Sequence, residues 1–378
     1  MTVSTQSRQQ ADPGLAEEIG AATSAFLRGE GYPARLRGGD GSAADIRALN
    51  RQVAELGLLG VLAPEGTGGI GGSTAELVAV FRAVGRGLLP LPLAESIAAL
   101  SVLDAAAADR VEACVAGAAL LTVTGAIGIG PSPWHEAHLD GGRISGQARL
   151  VNGADAADLL LVPARGGTGD PVLALVPTDA PVVRITRLTT TDRTYRPADV
   201  DFAAASAIPV AHGEHAEQAW RRLLTVARIA AVAELTGIAD RLVELAVEYV
   251  KERKQFGRPI GSFQAVKHLA ADAYTAAYTM DSLCQRLAGT SLTDPAAAHW
   301  ADSAKAFCSR AAVQVAETTL QMLGGIGFTA EHDLAVYYPR ILTLSDRWGD
   351  PLGLERSIGA DALAAARSGR ANDGRVRS

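Results

Sequence analysis

With 378 residues and 48% hydrophobic content, the chain has room for two or three domains built on buried cores. Its formal net charge of −6 argues against nucleic-acid binding, which favours a basic face. Three cysteines, Cys114, Cys284 and Cys308, are too few and too scattered for a disulfide framework or a metal cluster, and a reducing cytoplasm is the simplest setting.

In chain order, residues 1–14 are polar and lack the apolar stretch of a signal sequence. No apolar run is long enough to span a bilayer, so a soluble, cytoplasmic protein with no membrane partner is expected. Residues 1–13 and 368–378 are small, polar and charged, and mobility is expected there. From about 14 to 117 the pattern is helical. Residues 45–58 repeat apolar side chains at helical spacing, and Gly60 follows as a stop. Ser73 and Glu76 form a capping box that opens a helix carrying Leu77, Val80, Phe81 and Val84.

Between about 118 and 212 the chain changes character. Short apolar runs at 119–123, 158–162, 172–176 and 182–185 alternate with Gly, Pro and Asp clusters. No helical pattern intervenes, so an antiparallel barrel or sandwich is preferred over a βαβ fold. From 213 onward helices return. Residues 215–255 can form one helix about 60 Å long, followed by helices near 261–290, 294–323 and 330–347 and a last one from about 351. The expected organisation is an N-terminal helical domain (1–117), a β-domain (118–212) and a C-terminal helical bundle (213–378).

Two segments carry the chemistry. Residues 250–264 read V-K-E-R-K-Q-F-G-R-P-I-G-S-F-Q, the charged end of a long amphipathic helix stopped by Gly257 and Pro259 and restarted at Gly261. That break frees Arg253 and Gln255 to reach a partner. Residues 321–328 read Q-M-L-G-G-I-G-F, a helix ended by glycines whose backbone amides can approach an anion closely. An arginine fork beside a glycine-rich backbone is suited to a diphosphate. Phe256 and Ile260 as core residues, and Arg253 as a cap of its own helix, are the competing structural explanations.

The pair of segments, in this order and spacing, resembles the acyl-CoA dehydrogenases, whose C-terminal domain carries R-x-x-F-G-x-x-I and Q-x-x-G-G-x-G. The loop at 64–72 is similar to a further family motif, P-E-x-x-G-G-x-G, although a plain glycine turn explains it as well. The resemblance covers the whole chain, is strongest after residue 213, and implies the three-part architecture above. It also implies FAD bound between two subunits, an acyl-CoA thioester as substrate, and an electron-transfer flavoprotein or similar acceptor. Carried over to this sequence, Arg253 pairs with the diphosphate, and Phe256, Ile260 and Phe263 pack around the cofactor. Gln255 and Gln264 add polar contacts, and Gln321, Gly324 and Gly325 complete the dinucleotide cradle.

The other half of the family's flavin site departs from the pattern. Where the family has T-E-x-x-x-G-S-D, residues 122–130 read T-V-T-G-A-I-G-I-G; where it has W-I-T/S, residues 149–153 read R-L-V-N-G. Counting nine residues from Arg340 puts Gly349 at the position of the catalytic Glu. The alternative base position, on the long helix before an arginine, holds Ala227 ahead of Arg228. Glycine and alanine cannot remove an α proton. Asp350 is the spare carboxylate, with a helix N-cap before Pro351 as its structural explanation. Residues 348–351 (W-G-D-P) and 327–333 (G-F-T-A-E-H-D) further resemble the degenerate subunit of heteromeric steroid-type acyl-CoA dehydrogenases. That implies an α2β2 assembly whose other subunit carries the base. A homo-oligomeric flavoenzyme with a displaced base, or a non-catalytic scaffold, are the alternatives.

The remaining candidates are weaker. His135 with His138, and His212 with His215, lie near loops with no third ligand in sequence, and solvated histidines are expected. The glycines at 125–130 do not open a βαβ helix, so no nicotinamide site is expected. Ala230, Ala231, Ala233 and Gly237 give the long helix a small face, for tight packing or for a widened acyl pocket.

Overall fold

The computed structural model describes residues 13–39, 41–103, 107–126 and 133–375. The outermost ends expected to be mobile, 1–12 and 376–378, and positions 127–130 of the glycine-rich stretch lie outside the described residues. The N-terminal part is helical: α1 (Pro13–Gly29), α2 (Ala34–Arg37), α3 (Ala43–Glu55), α4 (Thr74–Gly87), α5 (Leu93–Leu100) and α6 (Ala108–Val115). The expected capping box opens α4. The Ser73 backbone N–H donates to Glu76 at 2.6 Å, and the Ser73 hydroxyl accepts from the Ala75 N–H at 3.1 Å. Ser42 and Asp45 cap α3 in the same way.

Strands follow: β1 (Leu121–Val123), β2 (Ala137–Asp140), β3 (Arg143–Asn152), β4 (Leu159–Gly166), β5 (Pro171–Pro177), β6 (Val183–Arg187), β7 (Pro197–Ser206) and β8 (Ile208–His212). They form one sheet in the order β6-β7-β3-β2-β4-β5-β8, with β1 also on β4. This corrects the expected antiparallel barrel or sandwich: the sheet is open and mixed, because β1 and β2 both pair with β4 in parallel. The cause is the connection after β3. Ala156 and Ala157 both donate to the Gly153 carbonyl at 3.0 Å, a tight turn that returns the chain beside β2 in the same direction. Apolar runs report burial, as in the six buried residues that open β4, and are silent on strand direction.

The C-terminal part consists of α7 (Gly213–Glu252), α8 (Gln264–Ala288), α9 (Ala297–Leu323), α10 (Leu334–Asp346) and α11 (Pro351–Arg375). The long helix is not amphipathic throughout. From Thr225 to Ala239 every residue except Arg228 is buried, so its middle is a core helix enclosed on all sides. Its small face serves packing against α4. A Cβ on Gly237 would sit 2.2 Å from the Arg82 carbonyl, and one on Gly85 would sit 2.0 Å from the Glu234 carbonyl. The two backbones touch where both helices lack a side chain. Helices α7 and α9 run in the same direction: Arg228 pairs with Asp302 near the start of α9, and Thr319 reaches the Leu242 carbonyl near its end. The C-terminal ends of α7 and α9 therefore lie at one end of the bundle.

Candidate functional site

That bundle end collects both sequence-predicted segments. Arg253 is the residue at which α7 stops, its N–H still bonded to the Tyr249 carbonyl at 2.9 Å. The chain then makes a small hairpin, Lys254–Gln255 against Arg258–Pro259. Phe256 (φ 51°) and Gly257 (φ 79°) form its tip. Two consecutive positive φ angles are the signature of a type I′ turn, and phenylalanine accepts one of them at a cost of roughly 1–2 kcal/mol. The hairpin base is fixed: Ile260 N–H bonds to the Arg253 carbonyl at 2.8 Å, and a Cβ on Gly261 would press on the Val250 carbonyl at 3.0 Å.

What the hairpin presents is open to solvent. Phe256 is 91% exposed and meets only the edge of Phe263, with ring centroids 6.1 Å apart. Arg258 lies over the Phe263 ring at 4.1 Å. The Arg253 guanidinium and the side-chain amides of Gln255, Gln264 and Gln321 have no hydrogen-bond or ion-pair partner among the described residues. Phe256 is thus no core residue, whereas half-buried Ile260 packs against the core. No contact among the described residues accounts for a strained, exposed aromatic beside an unengaged arginine.

At the neighbouring helix end, α9 gives way to a 3₁₀ turn, Gly324–Phe328. Gly324 has φ 61° and ψ −139°, a region essentially reserved for glycine. A Cβ on Gly325, whose φ is ordinary, would meet nothing within 4 Å. Its bare backbone therefore meets no need of this chain, and leaves room for a group from outside it. Ile326 (43% exposed) and Phe328 (78%) stand beside it. Cations, amides, apolar surface and bare backbone together fit the adenosine diphosphate end of a flavin dinucleotide.

The positions expected to hold the flavin ring are spent on internal contacts. Arg149 pairs with Asp199 at 2.8 Å, and the Leu150 carbonyl accepts from the Tyr195 hydroxyl. Asn152 turns inward, donating to Glu95 at 3.0 Å and accepting from the Arg196 N–H. Residues 149–153 carry neither an aromatic ring nor a hydroxyl for an isoalloxazine.

The position at which the resemblance implies the catalytic Glu is crowded. Gly349 (φ 112°) sits where a side chain is strained: its Cβ would meet the Leu354 side chain at 3.0 Å, which would have to give way, and an Arg228 nitrogen at a normal contact distance of 3.5 Å. Arg228 is held by the Trp348 carbonyl at 2.8 Å and by Asp302 at 2.5 Å. Burial pushes the Asp302 carboxyl up from its ordinary value, against the opposing pull of Arg228. The Gly349 carbonyl accepts from Lys305, a fully buried amine that also reaches the Ser309 hydroxyl and the Ser345 carbonyl. Burial, with Arg228 beside it, brings that amine down to about 7. Asp350 accepts the Gly353 N–H at 2.9 Å as the N-cap of α11.

Sequence reasoning missed a buried charged junction between the three parts of the chain. Glu95 of α5 binds Arg347 and Asn152. Arg340 of α10 holds Glu234 of α7 through two bonds, 2.7 and 3.0 Å, and lies 3.6 Å from Asp192. Arg347 also covers the rings of Tyr195 and Trp348. The legible signal was Glu234, a buried carboxylate inside the otherwise apolar stretch of α7 after Arg228. The four histidines singled out earlier stay apart from any metal geometry: among the described residues no group of three or more His, Cys, Asp and Glu is arranged to hold an ion.

Comparison with known proteins identifies the arrangement. Residues 217–346 match the family described as Acyl-CoA dehydrogenase, C-terminal domain, and residues 16–115 match Acyl-CoA dehydrogenase, N-terminal domain. Acyl-CoA dehydrogenase FadE34 of Mycobacterium tuberculosis (strain ATCC 25618 / H37Rv) is 31% identical over 366 residues, covering 92% of this chain and 48% of that protein. The chain thus spans about half the length of that relative. A point variant of the Tcur3481-Tcur3483 steroid ACAD superposes with a TM-score of 0.79 at 31% identity, over 94% of this chain and 97% of that one. The ChsE4-ChsE5 complex from Mycobacterium tuberculosis superposes with a TM-score of 0.73 at 26% identity, over 92% and 97%.

Proposed function

Given that the chain belongs to the acyl-CoA dehydrogenase family, we propose that it is the base-lacking subunit of a heteromeric, FAD-dependent acyl-CoA dehydrogenase. In this reading it lends the adenosine diphosphate half of a shared flavin site to a partner subunit that carries the catalytic carboxylate. The observation that carries the reading is the asymmetry between the two half-sites. At the bundle end, Arg253, Gln321 and Gly325 are exposed and unengaged. At the opposite half, a Cβ on Gly349 would press on Leu354, and the flavin-ring positions are bonded internally. The similarity to the ChsE4-ChsE5 complex, a complex of two named components, supports a heteromer. The similarity to a steroid ACAD supports a bulky, steroid-type CoA thioester as substrate.

FAD, when bound, supplies the acceptor for the hydride that leaves Cβ. This chain's residues bind and orient. The Arg253 guanidinium neutralises diphosphate charge through charge-assisted hydrogen bonds. The glycine turn at 324–325 lets backbone amides approach it, and Phe256 and Phe328 cover apolar parts of the dinucleotide. The proton at Cα is left to the partner's carboxylate. A homo-oligomer using Asp350 as base is disfavoured, because that carboxylate is committed to capping α11.

The test is an Arg253→Ala variant in the co-purified complex. A loss of about tenfold or more in flavin affinity is expected from removing a charged hydrogen-bond donor, with the partner unchanged and the assembly intact by sedimentation. Undiminished flavin affinity would contradict the shared-site reading.

A further inference from the structure

A separate cavity of about 310 Å³ lies where α1, α4, α7 and α10 meet, and its wall includes Ser24, Arg28, Arg86, Arg241 and Tyr337. Arg241 precedes Arg253 by twelve residues of helix, about 18 Å at ~1.5 Å per residue, so the cavity is distinct from the flavin half-site. Its charge is unbalanced. Arg86 gives a single nitrogen to Glu244, at 2.8 and 2.9 Å from the two carboxylate oxygens, and Arg241 reaches the same carboxylate only at 3.4 Å. The Arg28 guanidinium and the Ser24 hydroxyl have no partner among the described residues. Three guanidinium groups thus line the cavity beside one carboxylate, and Asp240, paired with Arg82, adds its charge near Arg86. The nearby Asp333 is engaged by Arg37 and offsets that charge alone. Tyr337, fully buried, donates to the Arg86 carbonyl and fixes the wall from behind.

We propose that this cavity binds a small dianionic oxyanion, a phosphate monoester or a dicarboxylate, between Arg28, Arg86 and Arg241. The surplus of guanidinium groups favours an anion, and planar guanidinium forks match carboxylate and phosphate oxygens. Leu27, Ala83 and Pro33 supply an apolar wall, so a short carbon skeleton is accommodated as well as the charged group. The volume sits at the lower end of small-molecule sites. The inference is independent of the heteromeric role proposed above.

Isothermal titration of the full chain with inorganic phosphate and, separately, with succinate at low ionic strength tests it. Saturable uptake of at least one of the two, at one per chain, is expected. Arg28→Ala, at an exposed position in the last turn of α1, should keep its circular dichroism and bind about tenfold more weakly or worse, with partial recovery in Arg28→Lys. Absence of saturable binding by both anions, or unchanged affinity in Arg28→Ala, overturns the proposal.

Discussion

A carboxylate placed at Gly349 is not expected to supply a working base in the isolated chain. The backbone there has φ 112°, a Cβ would press on Leu354 at 3.0 Å, and the Arg228 guanidinium is already engaged by Asp302. Gly349→Glu is expected to cost about 1–3 kcal/mol in stability, from strain and overpacking, and to leave the isolated chain without dehydrogenase turnover. Thermal unfolding and an acyl-CoA assay check both halves, and turnover in the isolated variant would contradict the crowded-site account. Lys305 gives a second prediction. Its amine falls from an ordinary 10.5 to about 7 because of burial, with Arg228 adding to the effect. Between those values the unfolded chain binds more protons than the folded one, so this group's contribution to stability rises with pH across the window. Below about 7 its full penalty applies. Melting temperatures from pH 7 to 10 should therefore climb more steeply in the native chain than in Lys305→Met, and parallel profiles would contradict the buried, depressed amine. At this scale the sequence revealed type better than state. It set a glycine, Gly349, where the resemblance implies a Glu, while the capture of Arg228 by Asp302 and Trp348 depends on neighbours 74 and 120 positions away.

Elements written in local chemistry were legible, and those defined by distant contacts were not. The Ser73 and Glu76 box marked the start of α4 because a cap needs only residues three apart. Ser73→Ala is expected to lower stability by about 1 kcal/mol, readable as a shifted denaturation midpoint. The helices after 213 were found from period and glycine stops, with the first running Gly213–Glu252 against an expected 215–255. The open, mixed sheet was not found, because a parallel β2–β4 pair is decided by the turn at Gly153 rather than by any run of apolar residues. Nor was the purpose of Gly237 decidable before its partner Gly85 was known. Gly237→Ala would force a methyl to 2.2 Å from the Arg82 carbonyl, so separation of α4 from α7 and a loss of about 2–4 kcal/mol are expected. A melting temperature equal to that of the unmodified chain would contradict this crossing.

Across the whole molecule, buried charge ties the three parts together, with Glu95 joined to Arg347 and Asn152 and Arg340 joined to Glu234 and Asp192, and free charge gathers at the exposed bundle end around Arg253. Buried pairs of this kind hold one geometry, since removing either partner leaves an uncompensated charge. The same chain therefore has a sealed half and an open half, which is the division of labour expected of a subunit that completes a neighbour's cofactor site. The most direct test is to purify the chain alone and together with a base-bearing acyl-CoA dehydrogenase subunit, measuring flavin absorbance per subunit and turnover. The account predicts a flavin-free, inactive chain alone, and one FAD per pair of unlike subunits with turnover in the complex. A homo-oligomer that carries one FAD per chain and turns over acyl-CoA without a partner would contradict it.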